Sequence, residues 1–223
     1  MMSKNAIPLV MLFLTAVSAF SLDFSLRPKG FVFIPAGPGN EASDGNERFD
    51  IGGGGELGFE VDFASIWPNP LGLGYTAGIE GSLLYNPYKP PASGSVQLYS
   101  FGGVLGLYYF PLSRLFTRVD GGIGVYQGVI EEGKGQPALW WKIGGEAGFR
   151  FTPMFTLAAN AGWRQFQSAS GVFNSGVYAG LTLQITFETG KNARGEAASF
   201  IQDEGVYPAF LSLYQKSPAG TIV

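Results

Sequence analysis

The sequence contains no cysteine and no histidine. Without cysteine there is no disulfide framework, no thiolate nucleophile and no lipidated cysteine of the kind that anchors a surface lipoprotein. Without histidine, Ser-His-Asp chemistry and most transition-metal sites are excluded as well. Charge is scarce: Asp, Glu, Lys and Arg make up 14% of the 223 residues, against about a quarter in ordinary soluble proteins. The net charge of -3 comes with no basic patch suited to nucleic acid. After the N-terminus no run of 18 apolar residues occurs, so no stretch there reads as a membrane-spanning helix. Yet 46% of the residues are hydrophobic, and the chain holds 34 Gly and 19 Phe. So much apolar surface with so little charge suits a sheet that meets lipid.

The stretch from Val177 to Phe187 shows how. Val177, Ala179, Leu181, Leu183, Ile185 and Phe187 fall on one side of an extended strand, and Tyr178, Gly180, Thr182, Gln184 and Thr186 on the other. Eleven residues are enough for a tilted strand to cross the hydrocarbon of a bilayer. A lone strand cannot do so, because its N–H and C=O groups find no partners in lipid; it must be the last stave of a closed barrel. Gly180 followed by Leu183, Ile185 and a terminal Phe187 resembles the closing strand of bacterial outer-membrane barrels. In that family such a strand is the signal read by the outer-membrane insertion machinery.

Seven further segments alternate in the same way. They cover about 22–34, 50–63, 75–85, 96–109, 115–127, 138–151 and 155–166. Pro28 sits in the first, where a missing N–H predicts a bulge or a strand that starts later. The connections at 35–49, 86–95, 128–137 and 168–174 alternate with turns at 64–72, 110–114 and 152–154. Outer-membrane barrels carry short periplasmic turns and longer surface loops, so the four longer connections are expected to be extracellular and both barrel ends periplasmic. The whole pattern from about 22 to 187 resembles the small eight-stranded barrels of the OmpA, OmpX and OmpW type. The expected fold is therefore an all-β, eight-stranded antiparallel up-and-down transmembrane β-barrel.

A soluble barrel would alternate too, with its apolar parity inside. The charged parity decides for the membrane version. Placed inward it collects Glu56, Glu60, Asp62, Glu80, Asp120 and Glu146 against Arg27, Lys29, Arg118, Lys142, Arg150 and Arg164. Near balance of sign is what a closed ionic interior needs, since an unpaired buried charge costs several kcal/mol. Arg118, Lys142, Arg150 and Arg164 are expected to pair with Glu80, Asp120, Glu146 and Glu60 across this lumen. Inward glycines such as Gly54, Gly78, Gly106 and Gly162 leave room for the long side chains. Tyr85, Tyr99, Tyr109, Phe63, Phe151, Phe155 and Phe187 lie near strand ends, as interfacial girdles do.

Outside the barrel, Lys4, the apolar run Ile7 to Ala19 and the small residues Val17-Ser18-Ala19 read as a secretory signal peptide over 1–19, with the mature chain starting near Phe20 or Leu22. Residues 188–223 are expected to form a periplasmic linker, cap or plug, or to begin a further domain. Gly52-Gly53-Gly54-Gly55 is no phosphate loop, because it lies in a strand with no Lys-Ser/Thr and no helix after it.

The resemblance implies outer-membrane lipid and the insertion machinery as partners, no cofactor and no nucleic acid; a surface ligand and a periplasmic contact through 188–223 stay open. Enzymes on related barrels resemble one another in relying on histidine, so enzymatic activity is not expected. Three functional classes remain: a structural or surface-interaction barrel with a filled, ion-paired lumen, a narrow OmpW-like channel for small or apolar solutes, or a membrane enzyme, which the missing histidine disfavours. Phe31, Phe33, Trp140 and Tyr178 could line an outer vestibule in the second.

Overall fold

The computed structural model describes residues 22–37, 39–41, 47–63, 73–130, 133–169 and 171–187. The expected signal peptide, the turn at 64–72 and the tail 188–223 lie outside the described residues. Among the described residues nine strands are formed: β1 (Asp23–Pro35), β2 (Gly52–Asp62), β3 (Leu73–Pro87), β4 (Ser95–Leu112), β5 (Leu115–Ile130), β6 (Gly133–Lys134), β7 (Ala138–Arg150), β8 (Phe155–Ser168) and β9 (Gly171–Phe187). The two-residue β6 only folds back on Val129 and Ile130. The other eight form the barrel.

Every barrel strand pairs antiparallel with two neighbours. Sequential strands are adjacent, and β1 closes the ring by pairing with both β2 and β9. Closure removes the sheet edges and gives every strand a ladder on both sides, as a sheet in lipid requires. One end of the barrel holds Asp23 and Phe187 together with the hairpins at 113–114 and 151–154; we call it the short-turn end. The opposite end, the loop end, carries the described residues 36–37, 39–41, 47–51 and 88–94.

Several strands run further than the alternation predicts. β9 begins at Gly171 and not near Val177, so strand replaces most of the expected loop at 168–174, with a register shift at Phe166/Gln167. The apolar pattern breaks there because Asn174 and Ser175 are polar and buried. They bond across the fold, Asn174 Nδ2 donating to Asn86 Oδ1 (3.3 Å) and Ser175 Oγ to Ala36 O (2.7 Å). The connection at 128–137 is likewise shortened, since β5 reaches Ile130 and β6 extends the hairpin. β3 extends to Pro87 and β4 to Leu112, trimming the connections expected at 86–95 and 110–114. Pro28 produces neither a bulge nor a late start. β1 begins at Asp23, and its register against β9 is the same on both sides of Pro28. The ladder simply omits Arg27 and Pro28, where the proline has no N–H to give.

The faces are those of an inverted soluble protein. Leu57, Phe101, Leu105, Val119, Ile123, Ile143 and Leu181 stand on the outside, while Arg, Glu and Lys fill the inside. Tyr85 and Tyr99 ring the exterior toward the loop end, and Tyr75, Tyr109, Phe151 and Phe155 toward the short-turn end. Phe63 departs from the expected girdle: with Phe24 and Phe59 it covers Val61 and Leu22. Phe187 stacks on Phe24 at 4.9 Å across the β1–β9 seam.

Two outcomes follow. The folded barrel in detergent should migrate differently on a gel before and after boiling, and identical mobility would contradict a closed sheet. Leu181 is 59% exposed on the outer wall. Leu181→Arg should therefore lower folding stability in lipid vesicles by about 2–4 kcal/mol, measured by urea titration, with Leu181→Ala costing far less.

Candidate functional site

The lumen is filled in three layers. At the loop end an apolar plug is built from Phe31, Phe33, Leu84, Val96, Leu98, Tyr126, Trp140, Phe166 and Tyr178, drawn from seven different strands. Its rings meet edge to face, with Tyr126–Phe166 centroids 5.0 Å apart and Phe31–Tyr178 6.1 Å, an arrangement that suits the quadrupoles of aromatic rings. Two of its polar atoms are bonded to strand carbonyls: Trp140 Nε1 donates to Val125 O at 3.1 Å and Tyr126 Oη to Gln167 O at 2.5 Å.

Phe49 caps the plug from the connection between β1 and β2, only 1% exposed. Its ring packs on Tyr88 (5.3 Å) and Phe173 (5.7 Å), and the Arg48 guanidinium covers Phe49 and Phe173 at 5.1 and 5.2 Å. The backbone holds it there. Phe49 N donates to Asn40 Oδ1 (2.8 Å), Arg48 N to Asn40 O (2.6 Å), and Asp50 N to Pro87 O (2.9 Å). Gly39, with φ +88, lies against the backbone of Val172–Asn174, where a Cβ would come within 2.7 Å of Val172 O; only glycine suits both demands. On the exposed rim Lys89 bonds Glu47, and that hydrogen bond raises its pKa above the ordinary lysine value.

Below the plug lies an ionic layer. Arg27, Lys29, Arg118, Lys142 and Arg164 meet Glu56, Glu60, Glu80, Asp120 and Glu146, all buried. Five cations face five anions, so the buried charge among the described residues sums to zero. Glu56 is the hub: it takes Lys29 (3.1 Å), Lys142 (2.7 Å) and Arg164. Lys142 also bonds Glu80 at 2.5 Å. Arg118 grips Glu60 with both terminal nitrogens, at 2.7 and 2.9 Å. Arg27 joins Glu146 to Glu60, and Lys29 bridges Glu146 (3.3 Å) and Asp120 (3.5 Å). Gly106 makes room for this, since a Cβ there would stand 2.2 Å from an Arg118 nitrogen. Arg164 ties the two layers together, its guanidinium 5.1 Å from the Trp140 ring and 5.4 Å from Phe31.

The third layer is a chamber at the short-turn end with about 60 Å³ of free space. Arg118 borders it on the ionic side, Tyr108, Phe110 and Phe116 form an aromatic wall, and Ser25, Thr156, Gln184 and Thr186 a polar one. Asp62 and Arg150 belong here. Asp62 accepts from Tyr108 Oη, and Arg150 lies over Phe110 at 5.2 Å and donates to Pro153 O.

No protein-family model matches the chain, and no curated protein matches it. Solved structures do. The Neisserial surface protein A superposes with a TM-score of 0.50 at 11% identity, over 74% of this chain and 96% of that one. Ail, the attachment invasion locus protein of Yersinia pestis, follows at 0.44 and 11% identity, over 75% and 99%. The outer membrane protein OprG from Pseudomonas aeruginosa matches at 0.38 and 16%, over 75% and 96%. The fold is that of a small eight-stranded outer-membrane β-barrel. At such identities the likeness speaks for architecture alone.

The residues expected inside this outer-membrane barrel thus separate into two groups. Arg27, Lys29, Glu56, Glu60, Glu80, Arg118, Asp120, Lys142, Glu146 and Arg164 come together in one cluster. Asp62 and Arg150 lie at the ends of β2 and β7 and line the short-turn chamber instead. The partner set also differs: Glu56, left out of the expected pairs, holds three cations. Of the closing-strand residues, Gly180 packs against the Gly30–Phe31 backbone, Leu183 faces outward, and Ile185 and Phe187 are half-buried at the seam. Sequence reasoning missed Phe49. Its signal was a lone aromatic at the end of a polar loop.

Removing the hub without removing its partners should be costly. Glu56→Gln leaves one uncompensated positive charge shared by Lys29, Lys142 and Arg164 and should lose about 3–5 kcal/mol, read from urea unfolding in detergent micelles. Deleting a neutral pair, Lys142→Met with Glu80→Leu, should cost less than that single change. The reverse ranking would show that the cluster is not held by charge balance.

Proposed function

We propose that the chain is an integral outer-membrane β-barrel with a structural or surface-interaction role and a lumen closed to solutes. The short-turn end faces the periplasm, and the loop end, with 36–51 and 88–94, is the extracellular surface. In this reading the bilayer's lipid and the insertion machinery that reads β9 are its partners, and the barrel is not an enzyme.

One observation carries the reading: two seals lie in series across the lumen. An open channel needs a continuous wet path. Here the aromatic plug capped by Phe49 excludes water from one half, and the neutral ionic layer spans the next with side chains that each hold a partner. Eight strands enclose a space that side chains can fill. Phe31, Phe33, Trp140 and Tyr178, which an apolar-solute channel would use as an open vestibule, are buried against one another instead.

Single-channel recording in planar bilayers tests this. The unmodified barrel should be quiet. Because the seals are in series, replacing Lys29, Glu56, Lys142 and Glu80 together with Ala should leave it quiet, and so should Phe49→Ala with Trp140→Ala. Combining both sets should open a leak. A steady conductance from the unmodified protein would promote the channel reading in its place.

A further inference from the structure

Among the described residues, one ladder of the barrel is interrupted away from a strand end. β1 pairs with β2 without a break from Asp23↔Asp62 to Phe33↔Gly52. Its pairing with β9 stops after Leu26↔Ile185 and resumes at Lys29↔Thr182. Backbone parity gives the cause. Bonded pairs alternate along an antiparallel ladder, and Ala36 N donates to Ser175 O at 2.8 Å where the seam reaches the loop end. The even-numbered residues of β1 therefore bond β9, the odd-numbered ones bond β2, and Pro28 falls opposite Leu183 at a bonded pair. Having no N–H, it leaves Leu183 O without its ladder donor. The gap separates a short arm of three pairs, Phe24↔Phe187, Ser25↔Thr186 and Leu26↔Ile185, from the seven pairs toward the loop end.

Side chains hold the arm where the backbone does not. Arg27 Nη1 donates to Gln184 Oε1 at 2.7 Å across the gap, and its other terminal nitrogen bonds Glu146 on β7. At the tip of the arm the Phe24 and Phe187 rings stack at 4.9 Å. We propose that Pro28 is a hinge built into the seam. The arm opens as a unit at the short-turn end, with Arg27–Gln184 as its latch, while the seven pairs beyond the proline stay closed. Each half of the opened arm keeps its outer neighbour. The β1 half stays on β2, and the β9 half stays on β8, where Thr186 N donates to Met154 O. Two hairpins thus part without either strand fraying. Opening of this kind removes backbone bonds from one parity of each strand and spares the other.

Amide hydrogen exchange, read residue by residue by NMR on the folded protein in micelles, tests the hinge. The amides of Phe24, Leu26, Ile185 and Phe187 face the seam, and those of Ser25, Arg27, Gln184 and Thr186 face β2 or β8 at the same depth. The first set should exchange about tenfold faster than the second, or more. Gly30, Val32, Ala179 and Leu181, which face the seam beyond the gap, should be as protected as the second set. Pro28→Val restores the missing donor and should slow the first set by about tenfold, leaving the amides that face β2 unchanged. Gln184→Leu removes the latch; it should speed Leu26 and Ile185 in the natural sequence and change them little in the Pro28→Val background. Equal exchange by both parities, which ordinary fraying of strand ends gives, overturns the proposal. So does a Pro28→Val barrel whose seam exchanges as before, or a Gln184→Leu effect of the same size in both backgrounds. The comparison of parities needs no variant, so the hinge stays open to refutation even where a substitution prevents folding.

Discussion

Closing an antiparallel sheet on itself satisfies the backbone hydrogen bonds that lipid cannot, and the same act creates a compartment shut off from both lipid and bulk water. Everything else in this barrel answers to that compartment. Its contents cannot carry net charge, because neither phase is at hand to solvate it. The five cations and five anions of the ionic layer meet that condition. Its backbone walls cannot approach one another without space, so small residues such as Gly106 stand where long ones reach across.

Two different solutions to filling the space lie side by side. Toward the loop end the filling is apolar, with the Trp140 and Tyr126 polar atoms bonded to strand carbonyls. Toward the middle it is ionic. Arg164 makes the junction possible because a guanidinium has a flat face for rings and an edge for carboxylates. A lysine there would offer a point charge without the face. The exterior needs less precision, since lipid tails pack against any apolar surface, and Leu, Ile, Val and Phe alternate there without evident order.

The alternation of apolar and polar residues made most of the fold legible. A strand with lipid on one face and a charged, filled lumen on the other shows the cleanest possible period of two. For that reason the parity of Leu181 against Thr182, and of the ten clustered charges, could be read without coordinates. The strand ends were harder. Asn174, Ser175 and Asn86 are polar residues buried in pairs at the loop end, so the pattern fades before the strand does. Pro28 misled for the opposite reason: a local rule against proline in a paired strand gave way to ladders strong enough on either side to hold the register.

Composition and parity determined the class of fold, the face each side chain takes and the sign balance of the interior, because these depend only on a residue's chemistry and on whether its position is odd or even. Tertiary structure alone decided who meets whom. Arg27 reaches Glu146 from β1 to β7 across the lumen, Glu56 gathers cations from β1, β7 and β8, and Phe49 leaves its loop to cap the plug. Those meetings are set by the register of every ladder around the ring. A shift of two residues in any one would keep each side chain on its face and change every partner.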